Sequence, residues 1–188
     1  MKYISILAIF IMSTSAYAGL DARPLNIEKY DSITGLYYNG VTTAIEGKGR
    51  LSSTRYVCTN LAIFDPVKEK TTLLFNEQQK NGISFIIFED GYKESSITFN
   101  GAHYSASYIQ NNTHVAKREP KNKLLVGVNR YESQKYELIL FVSDKRGGQL
   151  KHLVTMPASA NWHIDVRNSK IRVVHQTGKG IRVESYEW

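Results

Sequence analysis

Leu61 to Phe75 reads LAIFDPVKEKTTLLF, and Phe85 to Phe99 reads FIIFEDGYKESSITF. The two stretches align without a gap, placing Ile63 on Ile87, Phe64 on Phe88, Asp65 on Glu89 and Phe75 on Phe99. Each has an apolar run too short for a helix, then acidic and basic residues around a turn, then a second β-branched or aromatic run. That pattern predicts a β-hairpin. Two readings of the similarity stand side by side: a true internal repeat, or two hairpins alike because any hairpin needs this binary pattern.

The same alternation extends in both directions. Turn pairs recur at Asp65-Pro66, Asn81-Gly82, Asp90-Gly91, Asn100-Gly101 and Gly147-Gly148, and at Gly178-Lys179-Gly180. Between them the pattern predicts strands near 33–38, 56–64, 71–76, 83–89, 95–99, 103–109, 123–131, 136–143, 150–156, 162–167, 171–175 and 181–187. No stretch sustains the i, i+3, i+4, i+7 apolar spacing of a helix. Leu138 to Met156 (LILFVSDKRGGQLKHLVTM) repeats the hairpin shape with a longer turn. The expected fold is all-β, an antiparallel meander of hairpins, built as a two-sheet sandwich or a partial propeller. The propeller alternative comes from WHIDVRN, KIRVVHQ and IRVESYEW, three successive strands after Asn161 that resemble β-propeller blades, although the G-H…W-D blade signature is absent.

The N-terminus points to export. Lys2 precedes the apolar run Ile4–Met12, and Ala16-Tyr17-Ala18 forms an A-x-A cleavage site. That run covers about ten residues, where a membrane-spanning helix needs roughly 20. Residues 1–18 are therefore expected to be a cleaved signal and 19–188 a single domain, periplasmic or secreted, with no membrane span. The formal net charge is +7, and loss of the signal removes only Lys2, leaving 7 − 1 = +6. An outer-membrane barrel is disfavoured because Arg182, Glu184, Tyr186 and Trp188 would share the lipid face. Charges there cost up to roughly 2–4 kcal/mol near the midplane.

A hydrophobic fraction of 42% is enough to fill a core, which argues against disorder. Cys58 is the single cysteine, so no internal disulfide forms and the thiol is expected to pack in the core. Candidate chemistry is sparse. His163 and Asp165 share one face of a strand, yet His103, His152 and His175 each look isolated, leaving no third partner for a metal or a catalytic base. Ser105 and Ser107 lack a nucleophile elbow. Asn111-Asn112-Thr113 matches a glycosylation acceptor. No catalytic residue, metal ligand or cofactor is assigned.

Two surfaces are candidates for binding. His114 to Lys123 (HVAKREPKNK) is the densest basic stretch and reads as a loop projecting Lys117, Arg118 and Lys121 toward an acidic partner. Tyr104 and Tyr108 fall on one strand face, where rings can stack on sugar or grip a protein. No nucleic-acid-reading motif accompanies the charge, so nucleic acid is not expected as a partner. In size, signal and β-architecture the chain resembles the small periplasmic immunity proteins and enzyme inhibitors of Gram-negative bacteria. That resemblance implies a non-enzyme that plugs an envelope-targeting toxin or enzyme with its loops. The S-G-x-x-Y signature of lysozyme inhibitors is absent, so no residue role is carried over. A glycan-binding envelope protein using a tyrosine face is the alternative.

Overall fold

The computed structural model describes residues 27–46, 54–79, 81–93, 96–103 and 118–188. Twelve strands run through them: β1 Glu28–Asp31, β2 Leu36–Ile45, β3 Arg55–Asp65, β4 Lys70–Leu73, β5 Gly82–Lys93, β6 Ser96–His103, β7 Leu124–Glu132, β8 Lys135–Ser143, β9 Lys151–Pro157, β10 Asn161–Asp165, β11 Lys170–Thr177 and β12 Gly180–Glu187. Every pairing is antiparallel. The described residues contain no helix, and hence none long and apolar enough to cross a membrane.

Three hairpins close on the same aspartate-led turn, spanning Asp31–Leu36, Asp65–Lys70 and Asp165–Lys170. In each, the aspartate carboxylate accepts a backbone N–H from inside the turn: Ile33 at 3.2 Å, Val67 at 3.1 Å and Asn168 at 3.0 Å. The last turn residue then takes a left-handed φ: 73° at Gly35, 48° at Glu69 and 55° at Ser169. Only the first of these uses glycine, the residue for which that conformation is cheapest. This repeated device closes hairpins in both outer sheets.

The hairpins form three sheets, of order β1-β2-β3-β4, β6-β5-β7-β8-β9 and β10-β11-β12. The five-stranded sheet lies in the middle. One of its faces sends Ile83, Ile86, Phe88, Leu124, Val126 and Val128 against Leu36, Tyr38, Leu61 and Ile63 of the four-stranded sheet. The other sends Phe85, Ile87, Leu125 and Leu140 against Trp162, Ile164, Ile171 and Val173 of the three-stranded sheet. Burial on both faces accounts for the unbroken apolar run Leu124–Val128 at the start of β7. Gly127 is required within it, since a Cβ there would lie 2.2 Å from the Phe85 ring, which stacks on Trp162 with centroids 5.4 Å apart.

The all-β meander of hairpins is therefore what the chain adopts, with a third layer that makes two sandwich interfaces. Local expectations change at several points; Val166 and Arg167, for example, expected in a strand, lie in the Asp165–Lys170 turn. Ile33 and Thr34, expected in a strand, occupy the first turn, so that strand begins at Leu36 and runs on to Ile45, and β1 precedes it. The 24-residue repeat holds as two hairpins but not residue by residue. Asp65 ends β3 and opens a turn, whereas Glu89 lies inside β5, beside a bulge before Gly91, and that strand continues to Lys93.

Candidate binding surface

Two of the cations expected to project from the basic loop point inward. Arg118 grips Glu89 with two hydrogen bonds, Nη1 to Oε2 and Nη2 to Oε1, both 2.7 Å. The Lys121 amide adds a third at 2.7 Å, and the Trp188 indole Nε1–H a fourth at 2.8 Å. The Glu89 side chain is fully buried. Burial alone would raise its pKa, but Arg118, the Lys121 amide and Trp188 together outweigh that and hold the carboxyl below its ordinary value. The Lys121 ammonium donates to the Trp188 carbonyl, and burial followed by the neighbouring Lys123 and Arg118 lowers its pKa. Reversing the charge at Arg118 would therefore set a carboxylate against buried Glu89 and test folding before it tested binding. Lys117, Tyr104 and Tyr108 lie outside the described residues, as do Ser105, Ser107 and Asn111-Asn112-Thr113.

A second cation is sealed beside the first. Lys145 is 1% exposed, although Ser143-Asp144-Lys145-Arg146-Gly147-Gly148 reads as an open turn. Its ammonium contacts Asp31 Oδ2 at 2.9 Å and donates to the Glu89 carbonyl at 2.6 Å, 5.3 Å from the centre of the Phe88 ring. Its own carbonyl accepts the Tyr38 hydroxyl at 3.0 Å, tying the four-stranded sheet to the central one. Next to it, Arg146 pairs with Asp65. No local signal marks Lys145 as buried, because its partners come from β1, β2 and β5.

Two of the histidines bear on the candidate chemistry. Asp165 does not serve as a partner reserved for His163: its oxygens accept Asn168 and the Arg172 guanidinium, the latter at 3.1 and 3.2 Å. His175, isolated in the sequence, meets Glu184 of the facing strand at 3.6 Å, and Glu184 also accepts Arg182 at 2.8 Å and the Tyr186 hydroxyl at 2.7 Å. Cross-strand register brings these together, since His175 faces Arg182 in the β11–β12 hairpin. Among the described residues, no three His, Cys, Asp or Glu side chains are grouped to hold a metal ion. Cys58 is buried in the first core, and burial pushes its pKa up to about 11.

What faces solvent is aromatic. The register Tyr30–Tyr37–Phe64–Thr71 crosses all four strands of the first sheet on its outer side. The Tyr30 and Tyr37 rings lie 4.7 Å apart, and Tyr37 and Phe64 6.3 Å apart, each pair tilted by roughly 45° (44° and 47°). Leu73 continues the apolar surface in the adjacent row, which runs Glu28–Asn39–Ala62–Leu73. Ile33 and Val67, each two residues past a turn aspartate, extend it over the ends of the hairpins; Val67 is 86% exposed. The two turns adjoin, as a Cβ on Gly35 would sit 4.0 Å from Pro66 Cγ. Contiguous exposed apolar surface of this kind marks interaction sites in soluble domains. Comparison with protein families, curated proteins and solved structures yields no match to the chain.

Proposed function

We propose that this protein is an exported, non-enzymatic binding protein that engages a protein partner through the outer face of its four-stranded sheet. An inhibitor or immunity protein of the periplasm, set against an envelope-targeting toxin or enzyme, is the form this takes. The observation that carries the reading is the exposed row Tyr30, Tyr37 and Phe64, flanked by Leu73, Ile33 and Val67. Tyrosine and other rigid aromatics give large contact area at small entropic cost and dominate protein interfaces. The tilted rings make a ridged surface suited to interdigitating with side chains. Export is supported by the charged and apolar N-terminal stretch with its A-x-A site.

A glycan is the second reading. It is favoured by Glu28 and Asn39, which the register sets in the row beside Tyr30 and Tyr37, where they could bond sugar hydroxyls.

Pull-down from envelope extracts, followed by affinity measurement on the recovered protein, tests the proposal. Tyr37→Ala combined with Phe64→Ala is expected to weaken that partner by at least about 30-fold, the ~2 kcal/mol scale of interface hot spots. Unchanged affinity in the double variant would reject this face as the site. Retention on isolated cell wall, lost in the same variant and with no protein recovered, would replace the protein partner by a glycan.

A further inference from the structure

We propose that the outer edge of β12 is a docking strand for a second copy of this chain, pairing antiparallel with its own counterpart about Val183. This surface is separate from the aromatic face, so its fate does not depend on the reading above.

The sheet edges differ in how well they are closed to new strands. β1 and β4 are four residues long and β10 five; β9 ends at Pro157 and its register with β8 slips between Leu140 and Phe141. The β6 edge runs opposite a bulge in β5. Shortness, proline and bulges are the usual ways an edge is made unfit for pairing. β12 has none of them: eight residues pair with β11 in unbroken register and no proline interrupts them. Ile181 and Val183, 70% and 47% exposed, stand on this strand.

Its backbone parity is set. The Trp188 N–H donates to the Ser169 carbonyl at 3.0 Å, so even-numbered residues turn their polar groups toward β11. Ile181, Val183 and Ser185 therefore direct N–H and C=O away from the sheet. Glu187 obeys the same parity, its carbonyl accepting the Lys123 ammonium at 3.4 Å. Among the described residues nothing pairs with the outward groups of Ile181, Val183 and Ser185.

Among the registers that match outward backbone groups, the segment Gly180–Glu187 (GIRVESYE) has one that sets Arg182 against Glu184. With Val183 on the two-fold axis, Ile181 faces Ser185 of the copy, and all of these residues have outward-pointing backbone. Arg182 then faces Glu184 of the copy, and the reverse, while Val183 meets Val183. Centring on Arg182 or Glu184 would still pair outward backbone groups, Ile181 with Val183 or Val183 with Ser185, but would oppose like charges at the axis. Placing the axis between two residues would match an outward residue with an inward one. Hydrogen-bond parity places the axis on a residue, and charge pairing then selects Val183, joining the two three-stranded sheets into one of six.

Sedimentation of the signal-free protein over a concentration series should show a reversible monomer–dimer equilibrium. Val183→Pro should shift it to monomer with an unchanged melting temperature, because the lost N–H takes no part in the β11 ladder. Arg182→Glu should also yield monomer, and adding Glu184→Arg should restore the dimer. Val183→Cys should oxidise to a covalent dimer, its paired Cα atoms lying roughly 5.5 Å apart. Ile181→Cys should not, since its counterpart would lie about 13 Å away, four residues along the strand. A monomer at every concentration overturns the proposal and leaves the edge open to another protein's strand. Equal cross-linking of both cysteine variants overturns the register. If Val183→Pro lowers the melting temperature, the cysteine pair decides the matter in the folded protein.

Discussion

The end of the molecule around Glu89 and Lys145 and the outer face of the four-stranded sheet invert the usual distribution of side chains. At the first, two full charges and their partners are withdrawn from water; at the second, tyrosine and phenylalanine are held out in it. A net positive chain invites the inference that its partner is acidic. Yet Arg118 is committed to Glu89 of the central sheet, while Lys145 pairs with Asp31 and Arg146 with Asp65, so the last two cations join layers of the fold. The difference teaches where cooperative stability and recognition separate: the charges lock sheet to sheet, and the aromatics are left with cross-strand contacts only. Removing a buried ionic partner is expensive because it strands its counterpart in a medium that cannot solvate it. Removing an exposed ring strands nothing.

The sharpest test of the locked end is Lys145→Met. It leaves Asp31 buried without a cation and the Glu89 carbonyl without a donor, and is expected to lower unfolding stability by about 3–5 kcal/mol. Chemical denaturation measures this, and Lys145→Met with Asp31→Asn should recover part of the loss if the two act as a pair. Lys170→Met, which removes an exposed partner of Glu187, should change stability by less than about 1 kcal/mol.

Acid should weaken the same end next. Glu89 has its pKa lowered from 4.5 in the folded protein. A carboxyl with a depressed native value binds protons more readily when unfolded. The stability it contributes is thus present above the ordinary value and is lost as pH falls through the lowered one. Stability of the unaltered protein should therefore drop on acidification below about pH 4.5, and Glu89→Gln should be less stable at neutral pH but flatter over that acid range. Equal slopes for the two proteins would show that Glu89 carries no part of the acid sensitivity.

How much of this was legible follows from how local each feature is. Strands and turns are written within a few residues: the apolar run Leu138–Val142 in β8, the turn at Asp65-Pro66, the glycine pair Gly147-Gly148. Arg118 and Lys121 read as projecting cations because a cation's destination depends on residues far away in sequence. Glu89 looks like the acidic half of a turn until β5 is seen to run past it, and Lys145 looks solvated until β1 and β5 close over it. The third layer had the same obscurity: Leu124–Val128 announces burial on both faces, but nothing local says which sheets supply it. The aromatic face lay half in view, since Tyr37-Tyr38 must put one ring out and one in. Choosing between them required the register of Leu36 opposite Asp31.

That adjacent pair makes the last test. Tyr37 and Tyr38 share a strand, a side chain and nearly a position, but period-two alternation sends them to opposite faces. Tyr38 is sealed against Phe88, centroids 5.1 Å apart, with its hydroxyl on the Lys145 carbonyl and its pKa raised by burial and then by the nearby Asp31 charge. Among the described residues the Tyr37 ring pairs with those of Tyr30 and Phe64 across exposed strands. Cross-strand aromatic pairs contribute roughly 0.2–1 kcal/mol each, so removing both at Tyr37→Ser should lower stability by about 2 kcal/mol or less. Tyr38→Ser, which opens a cavity and orphans a buried carbonyl, should cost about 3–5 kcal/mol. Binding should rank the other way: at equal folded concentration Tyr37→Ser loses affinity for a partner on the aromatic face, and Tyr38→Ser, once refolded by stabilising conditions, retains it. If Tyr37→Ser were as destabilising as Tyr38→Ser, the outer row would be part of the core's cooperative unit, and its exposure would no longer argue for recognition.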